Sequence, residues 1–406
     1  MFGPLNHLRI VEGSAFVAAP LAGLTLAQAG ADVIRFDPPG GGLDYRRWPR
    51  AESGRSLFWT GLNKGKRSLC VDIRRPEGRE LVQALIGAPG EGGGLLLTNF
   101  AGMPWLSDEI LRARRADVIK LEITGNFDSS NAVDYTVNPA VGLPAMTGTG
   151  GRDAPTNHVL PAWDIACGLT AAFGMVSAAM ERARTGQGRS ISLALSDVAF
   201  ATVGHLGMLA EAALGGTDRR PSGNDLYGAF GRDFPTADGE RVMIVALTPK
   251  QWSGLVKVCG IADAVRGLEE RLAADLKEEG ARYVHREAIA ALVAPWVAAR
   301  PLAEVAAAFD AAGVSWGPYQ TVTEALARDP RASTANPLFA MLEQPGVGSV
   351  LAAGSPLAPA GEPREPARAA PALGADNDAI LGDVLGLPSG AIGKLYDAGM
   401  VAREES

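Results

Sequence analysis

Short apolar runs alternate with longer amphipathic stretches through the first half of the chain. Residues 8–11 read as a strand and 20–29 as a helix, with Pro20 in its first turn and Gly30 as its stop. Residues 31–37 read as a second strand, closed by the breaker cluster Pro38-Pro39-Gly40-Gly41-Gly42. Strand, helix, strand is the building unit of a parallel sheet. Further strands are expected at 68–73, 95–98 and 118–123 and helices at 76–86 and 107–114, which together predict a doubly wound α/β layer. A basic turn with glycines at 184–189 leads to a strand at 190–195 and a helix at 197–214.

Within this pattern stands one long apolar segment, 165–180, entered through Asn157-His158-Val159-Leu160-Pro161-Ala162-Trp163-Asp164. It predicts a buried core helix and falls short of the roughly 20 residues of a membrane span. Asp164 is the last polar residue before it. An aspartate there can cap the helix, its carboxylate accepting unpartnered backbone N–H groups and held ionised by the helix dipole. An ionised carboxylate on a rigid element can also serve as a nucleophile toward an activated acyl group. Spacing alone leaves the plain cap and the nucleophile both open.

The rhythm changes after the polar, glycine-rich stretch 215–224, the expected boundary of the first domain. Residues 227–234 and 241–247 predict strands joined through Asp238-Gly239. Thr248-Pro249-Lys250-Gln251 carries a capping box that opens a helix, and two more helices are expected at 284–299 and 302–312. A helix at 322–327, a hairpin-like passage at 339–357 and the proline-rich 359–371 lead to a pair of short helices. Irregular passages of that length are rare inside a compact domain, so this one is expected to run along another surface, of the first domain or of a second subunit.

Length and charge narrow the chemistry. A chain of 406 residues predicts more than one domain, and a net charge of -7 without any basic run argues against a nucleic-acid partner. No secretory signal is visible after Met1, no membrane partner is expected, and Cys70, Cys167 and Cys259 have no C-x-x-C spacing, which fits a reducing cytoplasm. His7, His158, His205 and His285 show no metal-binding spacing, so no metal is expected. Asp37 sits where a dinucleotide fold holds a ribose, but Gly13-Ser14-Ala15-Phe16-Val17 lacks the G-x-G-x-x-G that such a cofactor needs. Asn63-Lys64-Gly65-Lys66-Arg67 and Arg74-Arg75 would suit a phosphate-bearing ligand, or they are solvated surface charge.

Taken in order, these motifs resemble the family III (CaiB/BaiF-type) CoA-transferases over essentially the whole length. The likeness rests on residues 8–12, Ala18-Ala19-Pro20, Gly30-Ala31-Asp32-Val33-Ile34, Asn63 to Ser68, Asp72, Pro76-Glu77-Gly78 and Asn99-Phe100. It continues through Asp164, Arg184-Thr185-Gly186-Gln187-Gly188, Tyr227, Trp252, Gly317-Pro318, Asp329-Pro330 and Gly354-Ser355-Pro356.

The resemblance implies a Rossmann-like large domain whose N-terminal portion is residues 1–220, a small α+β domain (221–320) and a return segment (321–406) that completes the large one. The protomer would be an open ring in an interlocked homodimer. It also implies that Asp164 attacks the carbonyl of a CoA thioester to form a mixed aspartyl anhydride. The substrate would be the CoA thioester of a small dicarboxylic acid, with no separate cofactor because CoA is part of the substrate. Val133 to Pro139, His158 to Asp164 and Tyr227 to Phe234 resemble those members in which one dicarboxylate, mesaconate, keeps the CoA and changes only the carboxyl that bears it. An intermolecular transferase is the alternative. A racemase of this family would place a histidine near Val133, where none stands.

Carried over residue by residue, the resemblance places CoA at Val17, Ala18, Val71, Asp72, Ile73, Arg74, Asn99, Phe100 and Ala101. It places a short glycine loop at Ser222, Gly223 and Asn224, and adds Tyr135 and His158 to the substrate site. Two basic positions of the family are Pro38 and Val133 here, so Arg47, Arg67, Arg74 and Arg75 are candidate replacements, with Arg47 and Arg232 for the free carboxylate.

Overall fold

The structure, a computed structural model, describes residues 3–216 and 218–404. The chain forms two compact units, one drawn from Met1–Val141, His158–Gly216 and Asp329–Ser406, the other from Gly142–Asn157 and Thr217–Arg328.

The first unit is built on a parallel sheet of β1 (Arg9–Gly13), β2 (Asp32–Asp37), β3 (Arg67–Cys70), β4 (Leu95–Thr98), β5 (Ile119–Thr124) and β6 (Ser190–Ala194). Its order is β3-β2-β1-β4-β5-β6, so the chain reverses direction across the sheet between β1 and β4. Leu95, Leu96 and Leu97 are all buried, as expected of strands covered on both faces. Val11, Ile34, Leu69 and Leu96 pack with Val82, Leu85 and Leu111 of the helices Pro76–Gly87 and Asp108–Arg114, and with Ile380 and Ile392 near the C-terminus. Helices Ala18–Gln28 and Ala162–Thr185 lie against each other and against the same sheet. β10 (Phe339–Gln344) and β11 (Gly348–Ala353) form an antiparallel pair in the expected hairpin region.

In the second unit β7 (Phe230–Pro235), β8 (Arg241–Ala246) and β9 (Ser315–Pro318) form an antiparallel sheet. Phe230, Trp252, Val293 and Phe309 lie in its core. The Thr248 capping box is formed, with Gln251 N–H donating to Thr248 Oγ1 (3.2 Å) and Thr248 N–H to Gln251 Oε1 (2.9 Å). The stretch Gly142–Asn157 joins this unit, although it lies inside the range that the sequence division assigns to the first domain. Gly148 pairs with Gly223 in an antiparallel bridge, Gly223 N–H donating to Gly148 O at 2.7 Å.

Three local expectations need correction. The helix expected at 197–214 is two, Leu195–His205 and Met208–Gly215, bent by 64° where Gly207 takes a left-handed φ of 77°. The apolar helix spans Ala162–Thr185, 24 residues, because Asp164 and the polar Glu181 to Thr185 continue its hydrogen bonding. By length and composition it could cross a bilayer; here one side of it packs on the sheet and on Ala18–Gln28. Helices Leu57–Leu62, Asp134–Ala140, Ala262–Leu272 and Glu279–Val284 were not expected, the first two being short and interrupted by Gly61 and Pro139.

Candidate active site

In an open parallel sheet a crevice opens beyond the C-terminal strand ends where the chain changes direction. Here that place lies past Gly13 of β1 and Thr98 of β4, which are register partners. Asn99 stitches the two loops together: its Oδ1 accepts the Ala15 N–H (3.0 Å) and its Nδ2 donates to Ala15 O (2.8 Å). Phe16 follows with a left-handed φ of 69°, a conformation unusual for a bulky residue, and its N–H donates to Asp44 Oδ2 at 3.0 Å. Val17 then precedes the helix Ala18–Gln28.

Asp44 is held in turn by a buried ionic cluster. The Arg35 guanidinium donates to Asp44 Oδ1 (2.8 Å) and to both oxygens of Asp37 (2.9 and 3.0 Å). Lys66 Nζ donates to Glu12 Oε1 (2.8 Å), Asn63 Oδ1 (2.8 Å) and Pro20 O (2.9 Å). Burial pushes the Lys66 ammonium down to about 8 against the pull of Glu12. Asp37 is thus an internal ion-pair partner and not a ribose ligand. The basic run at 63–67 is likewise no phosphate site, since Lys66 is buried, Lys64 donates to Ala353 O, and Arg67 pairs with Asp32 at the opposite, N-terminal edge of the sheet.

The helix Ala162–Thr185 reaches the crevice through Gly168. A Cβ there would stand 2.6 Å from Ala18 O, so only glycine lets the two helix backbones meet so closely, about one turn beyond Asp164. Asp164 is half-buried at the third position of the helix, not at its cap. The cap role that the sequence suggests for Asp164 is filled from elsewhere. Buried Asp134, at the start of the helix Asp134–Ala140, accepts Trp163 N–H (2.7 Å) and Asp164 N–H (3.1 Å) on Oδ2, while Oδ1 meets His158 Nε2 at 2.7 Å. Trp163 Nε1 donates to Asn138 Oδ1 (3.1 Å). Among the described residues no donor bonds the Asp164 carboxylate.

Its electrostatics also differ from the expected helix-stabilised anion. Burial, then the Asp134 carboxylate, push the Asp164 carboxyl up to about 6, and Arg47 pulls the other way. Burial and Asp164 together push the neighbouring Cys167 thiol up to about 12, so it is no thiolate nucleophile near neutrality. Arg47 is exposed, with its guanidinium 5.4 Å from the Phe16 ring centre and 5.1 Å from that of Phe58. It forms no salt bridge among the described residues.

The sequence-predicted site residues divide clearly. Val17, Ala18, Asn99, Phe100 and Ala101 line the loops at the β1 and β4 ends, Phe100 lying edge-on to Phe36 at 6.3 Å. Asp72, Ile73 and Arg74 follow β3, with Arg74 Nε and Nη2 on the two oxygens of Asp72 (2.7 and 2.9 Å). Val71 is fully buried in the core, so its side chain offers a ligand no surface. Arg75 donates to Ala398 O. Tyr135 and His158 come together beside Asp134, ring centres 5.8 Å apart, and the Tyr135 hydroxyl donates to Val159 O (3.0 Å). Gly223, Asn224 and Arg232 belong to the second unit, where Asn224 donates to Asp233 Oδ1 (3.1 Å) and Arg232 is committed to Asp225 and Glu287. Asp134 was missed. The signal for it was a lone Asp before Tyr135-Thr136, readable as nothing more than a helix start. Among the described residues no cluster of His, Cys, Asp and Glu could hold a metal ion.

Residues 5–377 match the family model for CoA-transferase family III. The chain is 55% identical, over 99% of its length and 98% of the relative's, to 2-methylfumaryl-CoA isomerase of Chloroflexus aurantiacus. It is 29% identical, over 95% and 94% of the two chains, to succinyl-CoA--D-citramalate CoA-transferase of the same organism. The crystal structure of a CAIB/BAIF family protein from Brucella suis superposes with a TM-score of 0.76 at 26% identity, covering 95% of this chain and all of that one.

Proposed function

Because the chain belongs to CoA-transferase family III, we propose that it converts 2-methylfumaryl-CoA into 3-methylfumaryl-CoA, moving CoA between the two carboxyls of one C5 dicarboxylate with Asp164 as nucleophile. The observation that carries this reading is the half-buried Asp164 carboxylate, bonded by no donor among the described residues and one turn from the helix contact at Ala18. Attack of its Oδ on the thioester carbonyl breaks the C–S bond and releases CoA thiolate, leaving a mixed anhydride. For CoA to reappear on the other carboxyl, the thiolate must add to the aspartyl carbonyl and free the dicarboxylate. The second carboxylate then attacks the aspartyl thioester, and the thiolate finally takes the acyl group from the new anhydride and restores Asp164. Each step exchanges one acyl oxygen or sulfur bond for another, and no cofactor is consumed. The anhydride has to be kept from water throughout.

Arg47 fits the free carboxylate of the dicarboxylate, being a guanidinium braced by two rings and unclaimed by any acid among the described residues. CoA is read as lying along Val17, Ala18, Asn99, Phe100 and Ala101, with Arg74 beside it. Association as a homodimer accords with the exposed apolar residues of the Asp164 helix: Leu169 (51%), Phe173 (74%) and Met180 (70%). A cytoplasmic location and an interlocked arrangement are part of the same reading.

The test is to supply purified protein with 2-methylfumaryl-CoA alone and with isotopically labelled free mesaconate. Conversion without label uptake supports the intramolecular reading; label in the thioester would mean an intermolecular transferase. His158 beside Asp134 favours one second reading, an acyl-CoA racemase with a His–Asp pair. Incorporation of solvent deuterium at the α carbon of a saturated 2-methylacyl-CoA, which unlike 2-methylfumaryl-CoA carries a proton there, would select it.

A further inference from the structure

The start of the helix Ala162–Thr185 has two carboxylates available and uses only one. Its N-cap, Pro161, supplies no side-chain acceptor, and Asp164 could in principle fold back onto the free N–H groups. Asp134 already occupies them, at 2.7 and 3.1 Å, and its other oxygen is taken by His158 Nε2. Asp134 is itself buried and comes from a separate helix, 24 to 30 residues away in sequence from the groups it binds. The arrangement holds the first turn of the helix at the Trp163 and Asp164 N–H groups and the approach to it at the His158 imidazole.

We infer that Asp134 is a positioning residue for Asp164: by capping the helix in its place and fixing His158, it leaves the Asp164 carboxylate untied and directed to the acyl group. The inference rests on Asp164 being the nucleophile. A carboxylate tied to helix N–H groups is stabilised as the anion and correspondingly poor at attack. Asp134 removes that stabilisation and adds a fixed negative charge beside Asp164. The charges acting on Asp164 are Asp134 and Arg47, with His158 and Tyr135 next to Asp134 and Cys167 on the same helix.

Asp134→Asn separates positioning from folding, because the amide oxygen still accepts from the helix while the charge is lost. In protein labelled at the aspartate carboxyl carbons, with Asp164→Asn used for assignment, the Asp164 titration midpoint is expected to fall by about half a unit or more in Asp134→Asn. With 2-methylfumaryl-CoA, the acid limb of kcat/KM moves to lower pH alongside it and the plateau kcat drops roughly tenfold, with KM little changed. An unchanged midpoint with kcat within about twofold of the parent would overturn the inference. Should the midpoint move while the parent protein leaves 2-methylfumaryl-CoA unchanged but turns over another acyl-CoA in an Asp164-dependent way, the positioning role stands and the proposed substrate falls; no Asp164-dependent turnover of any acyl-CoA would overturn both.

Discussion

As the proposed nucleophile, Asp164 carries opposing demands of catalysis and stability in one side chain. Its carboxyl lies at about 6 in the fold, against an ordinary 3.8, because burial and Asp134 both disfavour the anion. The folded protein therefore holds this proton more tightly than the unfolded chain does. Stability from the group is present below the ordinary value and is lost as pH rises through about 6. Activity runs the other way, since only the anion attacks, and kcat/KM is expected to decline below about pH 6. Asp164→Asn should abolish turnover yet melt no lower than the parent at about pH 8. Its advantage there is on the order of 1 kcal/mol once solvent screening is allowed for, and it vanishes by about pH 4. Thermal melts of both proteins across that range check it; a variant that melts well below the parent at the alkaline end contradicts the assignment of a disfavoured anion.

At the scale of elements, the contact of two helices sets where Asp164, the proposed nucleophile, stands. Ala18–Gln28 brings the loop at 14–17 to the crevice, Ala162–Thr185 brings Asp164, and they meet at Gly168 against Ala18 O. Gly168→Ala places a methyl 2.6 Å from that oxygen, so the helices must separate. Such overpacking costs about 1–3 kcal/mol, and here it also moves Asp164 relative to Ala18 and Val17. A lower urea midpoint together with a kcat loss larger than the KM change is the expected result. A fall in stability with normal kcat would show that the helix contact does not set the reactive geometry. This contact was only half legible beforehand: the two helices were expected, but nothing in the spacing of Gly168 said which helix it would face.

For the whole molecule, the exposed Leu169, Phe173 and Met180 extend along one side of the helix Ala162–Thr185 at positions four and seven residues apart. That spacing makes an apolar stripe, and exposed stripes of this kind mark association surfaces. Phe173→Glu should weaken the proposed homodimer, shown by light scattering on a size-exclusion column. Activity should fall with it if the dimer completes the site. An unchanged mass for the variant would place the dimer contact elsewhere.

The division between what the sequence settled and what only folding decided follows the range of the interactions. Strand and helix periodicity, the Thr248 capping box and the Asp238-Gly239 turn all depend on neighbours a few residues apart, so the parallel layer and the antiparallel sheet were legible. Motifs that recur in order along the chain made the family, and Asp164 as its candidate nucleophile, legible too. Tertiary contacts decided the state of that nucleophile. Asp134 takes the cap, so Asp164 sits inside the helix as a raised, unbonded carboxyl where local rules foresaw a stabilised anion. Glu12 and Asn63 draw Lys66 into the interior, so part of an apparent phosphate-binding run became a member of the buried ionic cluster. Burial and pairing between distant residues set both outcomes, and neither quantity is carried by the identity or spacing of the residues alone.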